Sequence, residues 1–347
     1  MKEVLLTKNE EQLEQLLGKL RQPEYRAEQL MEWIYQHRED DFSKMTNLPK
    51  QLREALQSFA QITDVKIEEH LISEDEQSEK FALRMKDKST VEAAVMRYSF
   101  GTSLCVSTQV GCAVECSFCA SGARGLTRNL TTHEIVSQWF LTQQSLDDEG
   151  ERISHIVVMG MGEPLHNYDS LVRSLRIFHS QTEGAGISYR RMTVSTAGVA
   201  PKIRELANEE IPVTLAVSLH APNDYLRDRI VPLNEQYSLE ELIDSSKYYT
   251  EKTGRRVTFE YAMMKGVNDH PELARELAIL LDDMICHVNL IQMNPVPGSD
   301  FSPSSREAVE EFAEVLEMMG INVTIRRPLG LDIHAACGQL RERVDSS

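Results

Sequence analysis

The sequence predicts an α/β protein: a partial (β/α)6 barrel with a small helical domain at its N-terminus and a short β extension joining the two. Three observations carry that expectation. Apolar residues recur at the helical period through roughly the first sixty positions. From about 65 to 99 the pattern shortens to strand-length segments separated by polar turns. Beyond about 100, short apolar runs alternate with longer amphipathic stretches, the signature of βαβ units and a parallel sheet. Six such units fall short of the eight that close a (β/α)8 barrel, so an open barrel is expected. The divisions are 1–62, 63–100 and 101–347.

In the first division Leu13, Leu16, Leu17 and Leu20 form one stripe. Leu30, Trp33 and Ile34 form a second, and Leu52, Leu56 and Phe59 a third, with Pro23 and Asn47-Leu48-Pro49 as punctuation. The β extension is read as strands at 65–67, 80–85 and 90–98, with turns at 73–79 and 86–89. The barrel strands are expected at 104–107, 155–161, 191–196, 214–219, 257–263 and 288–293, and one more at 322–326. Helices are expected from Thr131 and over 168–180, 201–208, 239–252, 271–283 and 305–319. Thr131/Glu134, Ser238/Glu241 and Ser304/Glu307 have capping-box spacing, which satisfies orphan amide donors at a helix start. In parallel α/β folds ligands bind beyond the carboxyl ends of the strands. Gly162-Glu163, Ser195, Ser218-Leu219-His220 and Asn294 all fall at or just after such ends, so they converge on one mouth.

The chemistry is concentrated in Gly111-Cys112-Ala113-Val114-Glu115-Cys116-Ser117-Phe118-Cys119. Three thiolates in this C-x3-C-x2-C spacing can reach one soft metal centre from one loop. Three is one short of what a closed all-cysteine cluster or structural zinc site uses, which leaves a coordination position open. Zinc ribbons show a second C-x2-C pair, whereas Cys105, Cys286 and Cys337 stand singly. An iron–sulfur site is therefore favoured, with zinc or no metal as the alternatives.

The cysteine run, with Phe118 before its last member, resembles the cluster motif of radical S-adenosylmethionine (SAM) enzymes. Further segments extend the likeness over nearly the whole chain: Ser103–Gly111 before the cluster, Gly160-Met161-Gly162-Glu163-Pro164, Val217–Asn223, Asn289–Pro295 and Ala335-Ala336-Cys337-Gly338-Gln339-Leu340. Together they resemble the RlmN/Cfr family of RNA adenosine methyltransferases.

That resemblance implies a 4Fe-4S cluster on Cys112, Cys116 and Cys119, with SAM bound to the open iron. Gly162 and Glu163 would meet the SAM amino group, and Ser195, Ser218, Leu219, His220 and Asn294 would supply the remaining SAM contacts. Cys337 would carry a methyl group from one SAM. A radical from a second SAM would take hydrogen from it, and the resulting methylene would add to adenine. Cys105 would release the RNA through a transient disulfide with Cys337, with Glu92 as proton acceptor. Cys286 matches no role. His334 replaces an acidic residue usual in the family, while Asp332 is retained. Met161–Pro164 and Glu260-Tyr261 favour RlmN, which methylates carbon-2. The segments 119–122 and 330–333 lean toward Cfr, which methylates carbon-8 of 23S ribosomal RNA and confers antibiotic resistance.

Composition bounds the partners. No run of 18 or more apolar residues is present, so no membrane span is expected, and no secretory signal opens the chain. Six cysteines without a disulfide framework point to reduced thiols and a cytoplasmic setting. A net charge of −17 argues against a general nucleic-acid binder, although net charge does not report what a pocket recognises. The resemblance implies 23S ribosomal RNA as substrate, transfer RNA as a second candidate, and a reductase or flavodoxin-type electron donor to a monomeric enzyme. Arg124 and Arg128, flanking the cysteine loop, are the expected phosphate contacts. Arg190-Arg191 and Arg255-Arg256 precede strands and fall at the opposite rim. The competing readings are a radical enzyme acting on a protein or small molecule, which has no use for a Cys105–Cys337 pair, and a non-catalytic metal-binding adaptor.

Overall fold

The computed structural model describes residues 2–296, 299–327 and 329–340. The helical domain begins with β1 (Glu3–Val4) and α1 (Glu10–Lys19). There Asn9 and Gln12 close a capping box, and Leu13, Leu16 and Leu17 face inward. It continues with α2 (Tyr25–Met31), which widens into a π-turn over Glu32–Gln36, then α3 (Lys50–Phe59) and β2 (Ala60–Gln61), parallel to β1. The three predicted stripes are buried along these helices, apart from the half-exposed Leu20, Trp33 and Phe59 at their edges. The β1–β2 pair was not predicted, because two residues are too few to show a period.

The extension forms β3 (Lys66–Ile72), β4 (Ser78–Arg84) and β5 (Thr90–Tyr98), paired antiparallel in order. It is not a separate sheet: β5 pairs with the first barrel strand, β6 (Gly101–Cys105), and prolongs it. Next come β7 (Gln109–Gly111) and β8 (Leu126–Asn129), an antiparallel pair that frames the cysteine loop. The alternating core follows: α4 (Thr132–Asp147), β9 (Ile153–Val158), α5 (Tyr168–His179), β10 (Met192–Thr196), α6 (Ala200–Ala207), β11 (Thr214–Ser218), α7 (Asp224–Ile230), α8 (Leu239–Thr253), β12 (Val257–Met263), α9 (Pro271–Leu281), β13 (Cys286–Gln292), α10 (Arg306–Met318) and β14 (Val323–Arg326).

Strands β6, β9, β10, β11, β12, β13 and β14 run parallel in that spatial order. Strands β14 and β3 end the ten-stranded sheet without pairing, so the barrel is open as expected. Every residue of β12 is buried, as suits a strand covered on both faces. The capping boxes at Thr131 and Ser238 form as read. The third cap is shifted: Ser305, not Ser304, accepts from the Ala308 amide, while the Ser304 hydroxyl donates to Asp269 at 2.8 Å. Arg38–Asp147 at 2.5 Å, Gln36 to the Gln181 carbonyl and Arg173 to the Thr7 carbonyl fasten the helical domain to α4, α5 and the loop after α5. Among the described residues no helix is long and apolar enough to cross a membrane.

Candidate active site

The β7–β8 hairpin closes tightly enough to fix the loop between its strands. Gly111 has φ +76°, and a Cβ there would lie 2.0 Å from the Gly125 carbonyl oxygen, so only glycine fits. The Cys112 amide donates to that same carbonyl, the Cys119 amide to the Cys116 carbonyl, and the Ser117 amide to the Ile230 carbonyl at the end of α7. All three cysteines line one cavity of about 160 Å³ beyond the strand ends.

The donor set can be tested against the metal. Three thiols from one loop open onto one cavity and the loop offers no fourth cysteine, a soft donor set that suits an iron–sulfur cluster with one position left open. Burial pushes the Cys112 thiol up to about 12 and Cys116 well above its ordinary value. The bare Cys112 and Cys116 thiols therefore stay protonated, and a metal core must displace those protons on binding.

Around the same cavity stand Gly162, Glu163, Ser195, Ser218, His220 and Asn294. Gly162 has φ +101°, and a Cβ would sit 2.5 Å from that of Gln109. Glu163 is 2 % exposed. Its Oε2 accepts from the Ala197 amide at 2.7 Å and its Oε1 from the Leu165 amide at 3.0 Å, so it ties the end of β10 to its own turn. Burial raises its carboxyl to about 7. Ser195 and Ser218 face each other at 3.5 Å between hydroxyls. His220 is buried with φ +61°; its Nδ1 accepts from the Ala262 amide, its ring meets Phe118 edge-on, and burial pushes it down to about 3. It is a neutral strut. Leu219 acts through its backbone, donating to the Glu260 carbonyl, and does not line the cavity. Asn294 donates to the Cys337 carbonyl at 2.9 Å and so touches the C-terminal segment.

Two residues here escaped sequence reading. Arg227 is fully buried and donates to the carbonyls of Leu219, Ala197 and Ser218 and to Asn234 Oδ1. Burial lowers it to about 10, against the opposing pull of Cys116. Asn268 donates to the carbonyls of His220 and Ala262 and accepts from the Met264 amide. No spacing signals either residue, since their partners come from other strand ends.

Cys105, at the end of β6, and Cys337 line a second cavity of about 340 Å³. Burial pushes Cys105 up to about 12, reinforced by the nearby Cys337. Arg326 faces Cys337, whose thiolate would be its principal neighbouring charge. The segment bearing Cys337 is pinned to the cysteine loop by the Ala120 amide on the Gly338 carbonyl and the Ser121 hydroxyl on the Leu340 carbonyl. Ala335 and Ala336 are buried beneath it. Glu92 is set apart. It is 1 % exposed and lines neither cavity; Lys80 pairs with it at 3.3 Å and also donates to the His334 carbonyl. Arg128 is engaged by Asp87 and Glu134, which removes it as a free phosphate contact, whereas Arg124 is exposed. The expectation for Arg128 is corrected: its guanidinium braces the start of α4.

Comparison with known proteins agrees with this architecture. Residues 4–62 match the ribosomal RNA large subunit methyltransferase N-terminal domain, and residues 106–278 match the radical SAM superfamily. A protein of Alkaliphilus oremlandii named "Probable dual-specificity RNA methyltransferase RlmN" is 46% identical over 339 residues, covering 98% of this chain and 97% of that one. One of the same name from Geobacillus kaustophilus is 48% identical over 319 residues, covering 92% and 87%. A crystal structure of a radical SAM methyltransferase from Sphaerobacter thermophilus superposes with a TM-score of 0.94 at 45% identity, over 98% of this chain and 99% of that one. These names give no support to the Cfr-like reading of segments 119–122 and 330–333. Fold, cysteine loop and full-length likeness together place the chain in the RlmN family of radical SAM enzymes.

Proposed function

We propose that this chain methylates carbon-2 of an adenosine in 23S ribosomal RNA, with transfer RNA as a second substrate, in the cytoplasm, as a monomer served by a flavodoxin-type electron donor. The relatives' shared name, a dual-specificity RNA methyltransferase, supports the RNA substrate and two classes of it. The observation that carries the mechanism is that Cys105 and Cys337 face one cavity, and that Cys337 also lines the cavity of the three-cysteine loop. A radical enzyme acting on some other substrate has no use for that pair.

Cys112, Cys116 and Cys119 would hold a 4Fe-4S cluster, and Gly162, Glu163, Ser195, Ser218, His220 and Asn294 would surround SAM. Once bound, these groups supply one-electron cleavage of a carbon–sulfur bond. The protein does the rest. Arg326 stands beside Cys337, whose sulfur is the atom that would accept the methyl group, and both line the two cavities. Asn294 holds the Cys337 backbone between the two cavities. After the methyl carbon has joined the base, Cys105 attacks the Cys337 sulfur: the sulfur–carbon bond breaks, a disulfide forms, and the carbon leaving with the RNA takes up a proton. Glu92 is the proton acceptor of this scheme, taking the displaced ring hydrogen as a proton, while the one electron left over would return to the iron–sulfur cluster. It pairs with Lys80, whose ammonium also donates to the His334 carbonyl, three residues before Cys337.

Cys105→Ala should transfer carbon to RNA yet fail to release it. Denaturing gels of reaction mixtures with SAM and a reductant should then show RNA covalently attached to protein, with Cys337 as the attachment point by mass spectrometry. Wild-type reactions should yield 2-methyladenosine. Only free RNA from the variant, or 8-methyladenosine from the wild type, contradicts the reading.

A further inference from the structure

The two cavities open at opposite ends of the barrel. The one beside the cysteine loop is bounded by residues past the strand ends: Gly160, Gly162, Glu163, Pro164, Ala197, His220 and Asn294. The one holding Cys105 is bounded by residues at the strand beginnings: His155 in β9, Arg190 and Arg191 immediately before β10, Thr214 opening β11, Thr258 in β12 and Thr324 in β14. Among the described residues the cavities share only Met159, Glu260, Arg326 and Cys337. A volume of about 340 Å³ lies within the range of small-molecule sites.

Three features of this second mouth bear on its occupant. Arg190 and Arg191 are exposed, and neither forms an ion pair among the described residues. In a chain of net charge −17, two uncompensated guanidinium groups at a cavity rim are a local anion site. Beside them Phe100 is 66 % exposed, stacked on Tyr98 (4.9 Å, 7°) and edge-on to His155 (5.3 Å, 78°). An exposed ring held at a cavity mouth offers a base a stacking face. Deeper in, Glu260 is buried. Its Oε1 accepts from Asn289, while its Oε2 has no hydrogen-bond partner among the described residues, the Arg326 charge lying nearby. A buried carboxylate oxygen without a donor is costly, and the exocyclic amino group of a nucleobase would satisfy it.

Resting on the RNA methyltransferase reading, we infer that the target nucleotide enters the barrel through its N-terminal rim, opposite the mouth that takes SAM. Arg190 and Arg191 hold flanking phosphates, Phe100 stacks an adjacent base, and Glu260 accepts from the amino group of the flipped base. The two reactants then meet from opposite sides at Cys337. This reverses the expectation that arginines at the cysteine-loop rim contact the RNA. An extruded base is what an enzyme acting on ring carbons requires.

The test measures binding of unmodified 23S ribosomal RNA transcript to the cluster-loaded protein, with and without turnover. Arg190→Glu/Arg191→Glu should weaken binding by about tenfold or more near physiological salt and lower the salt slope by about two, as expected for two lost phosphate contacts. Iron content and SAM affinity, measured on the same samples, report that the variant is folded. Phe100→Ala, at an exposed position, should raise the KM for RNA several-fold. Arg124→Glu, at the other rim, should bind within about twofold of wild type. Wild-type-like binding by Arg190→Glu/Arg191→Glu, or a loss in Arg124→Glu as large as theirs, overturns the inference. Because binding is read separately from product, a wild type that binds RNA but never methylates it sinks the proposed function, while the rim variants still decide the route.

Discussion

Cys105 and Cys337 illustrate what single residues reveal. Neither is distinctive alone, since an isolated cysteine is usually a small buried apolar group, and only the family resemblance singled them out. The structure adds the reason they belong together, a shared cavity with Arg326 facing one of them. Because burial holds Cys105 up to about 12, its thiol form dominates at neutral pH. Site-resolved mass spectrometry should find its iodoacetamide alkylation rising about tenfold per pH unit between 7 and 10 without a plateau. A plateau below pH 9 would mean a thiolate stabilised in the resting state. Arg227 was illegible because its charge is consumed by carbonyls at and just beyond the ends of β10 and β11. Arg227→Met leaves those oxygens buried and unpaired. It should cost about 3 kcal/mol or more in denaturant unfolding of the metal-free protein, together with weaker SAM binding. An unchanged unfolding midpoint would show that the guanidinium is not the clamp described.

At the level of elements, strong local signals were readable and short ones were not. The alternation of barrel strands and helices followed from period and length, and the caps at Thr131 and Ser238 from their spacing to glutamate. The β7–β8 hairpin and α7 stayed hidden: three- and four-residue strands and a seven-residue helix carry too few repeats. Ser304 misled because two adjacent serines offer the same hydroxyl, and only Ser305 points at the helix. Thr131→Ala removes the cap of α4, whose Glu134 also anchors Arg128. It should lower stability by about 1 kcal/mol in urea titration. A loss several times larger would mean that the α4 start holds the cysteine hairpin rather than only its own amides.

For the whole molecule, the sequence conveyed which segments meet but not the direction from which each reactant arrives. Placement of motifs after strand ends located the cavity beside the cysteine loop, because parallel sheets expose that end to ligands. The opposite opening depends on residues before strands and on a hairpin aromatic, Phe100, that no motif marks. Every step of the proposed function rests on Cys112, Cys116 and Cys119 holding the cluster with one iron free for SAM. The most direct measurement is electron paramagnetic resonance, with iron and sulfide analysis, of anaerobically reconstituted and reduced protein, recorded before and after adding SAM. About four irons and four sulfides per chain are expected, with a signal that changes on SAM addition and is absent from Cys116→Ala. A protein that takes up zinc instead, or a cluster whose spectrum ignores SAM, would contradict the account at its root.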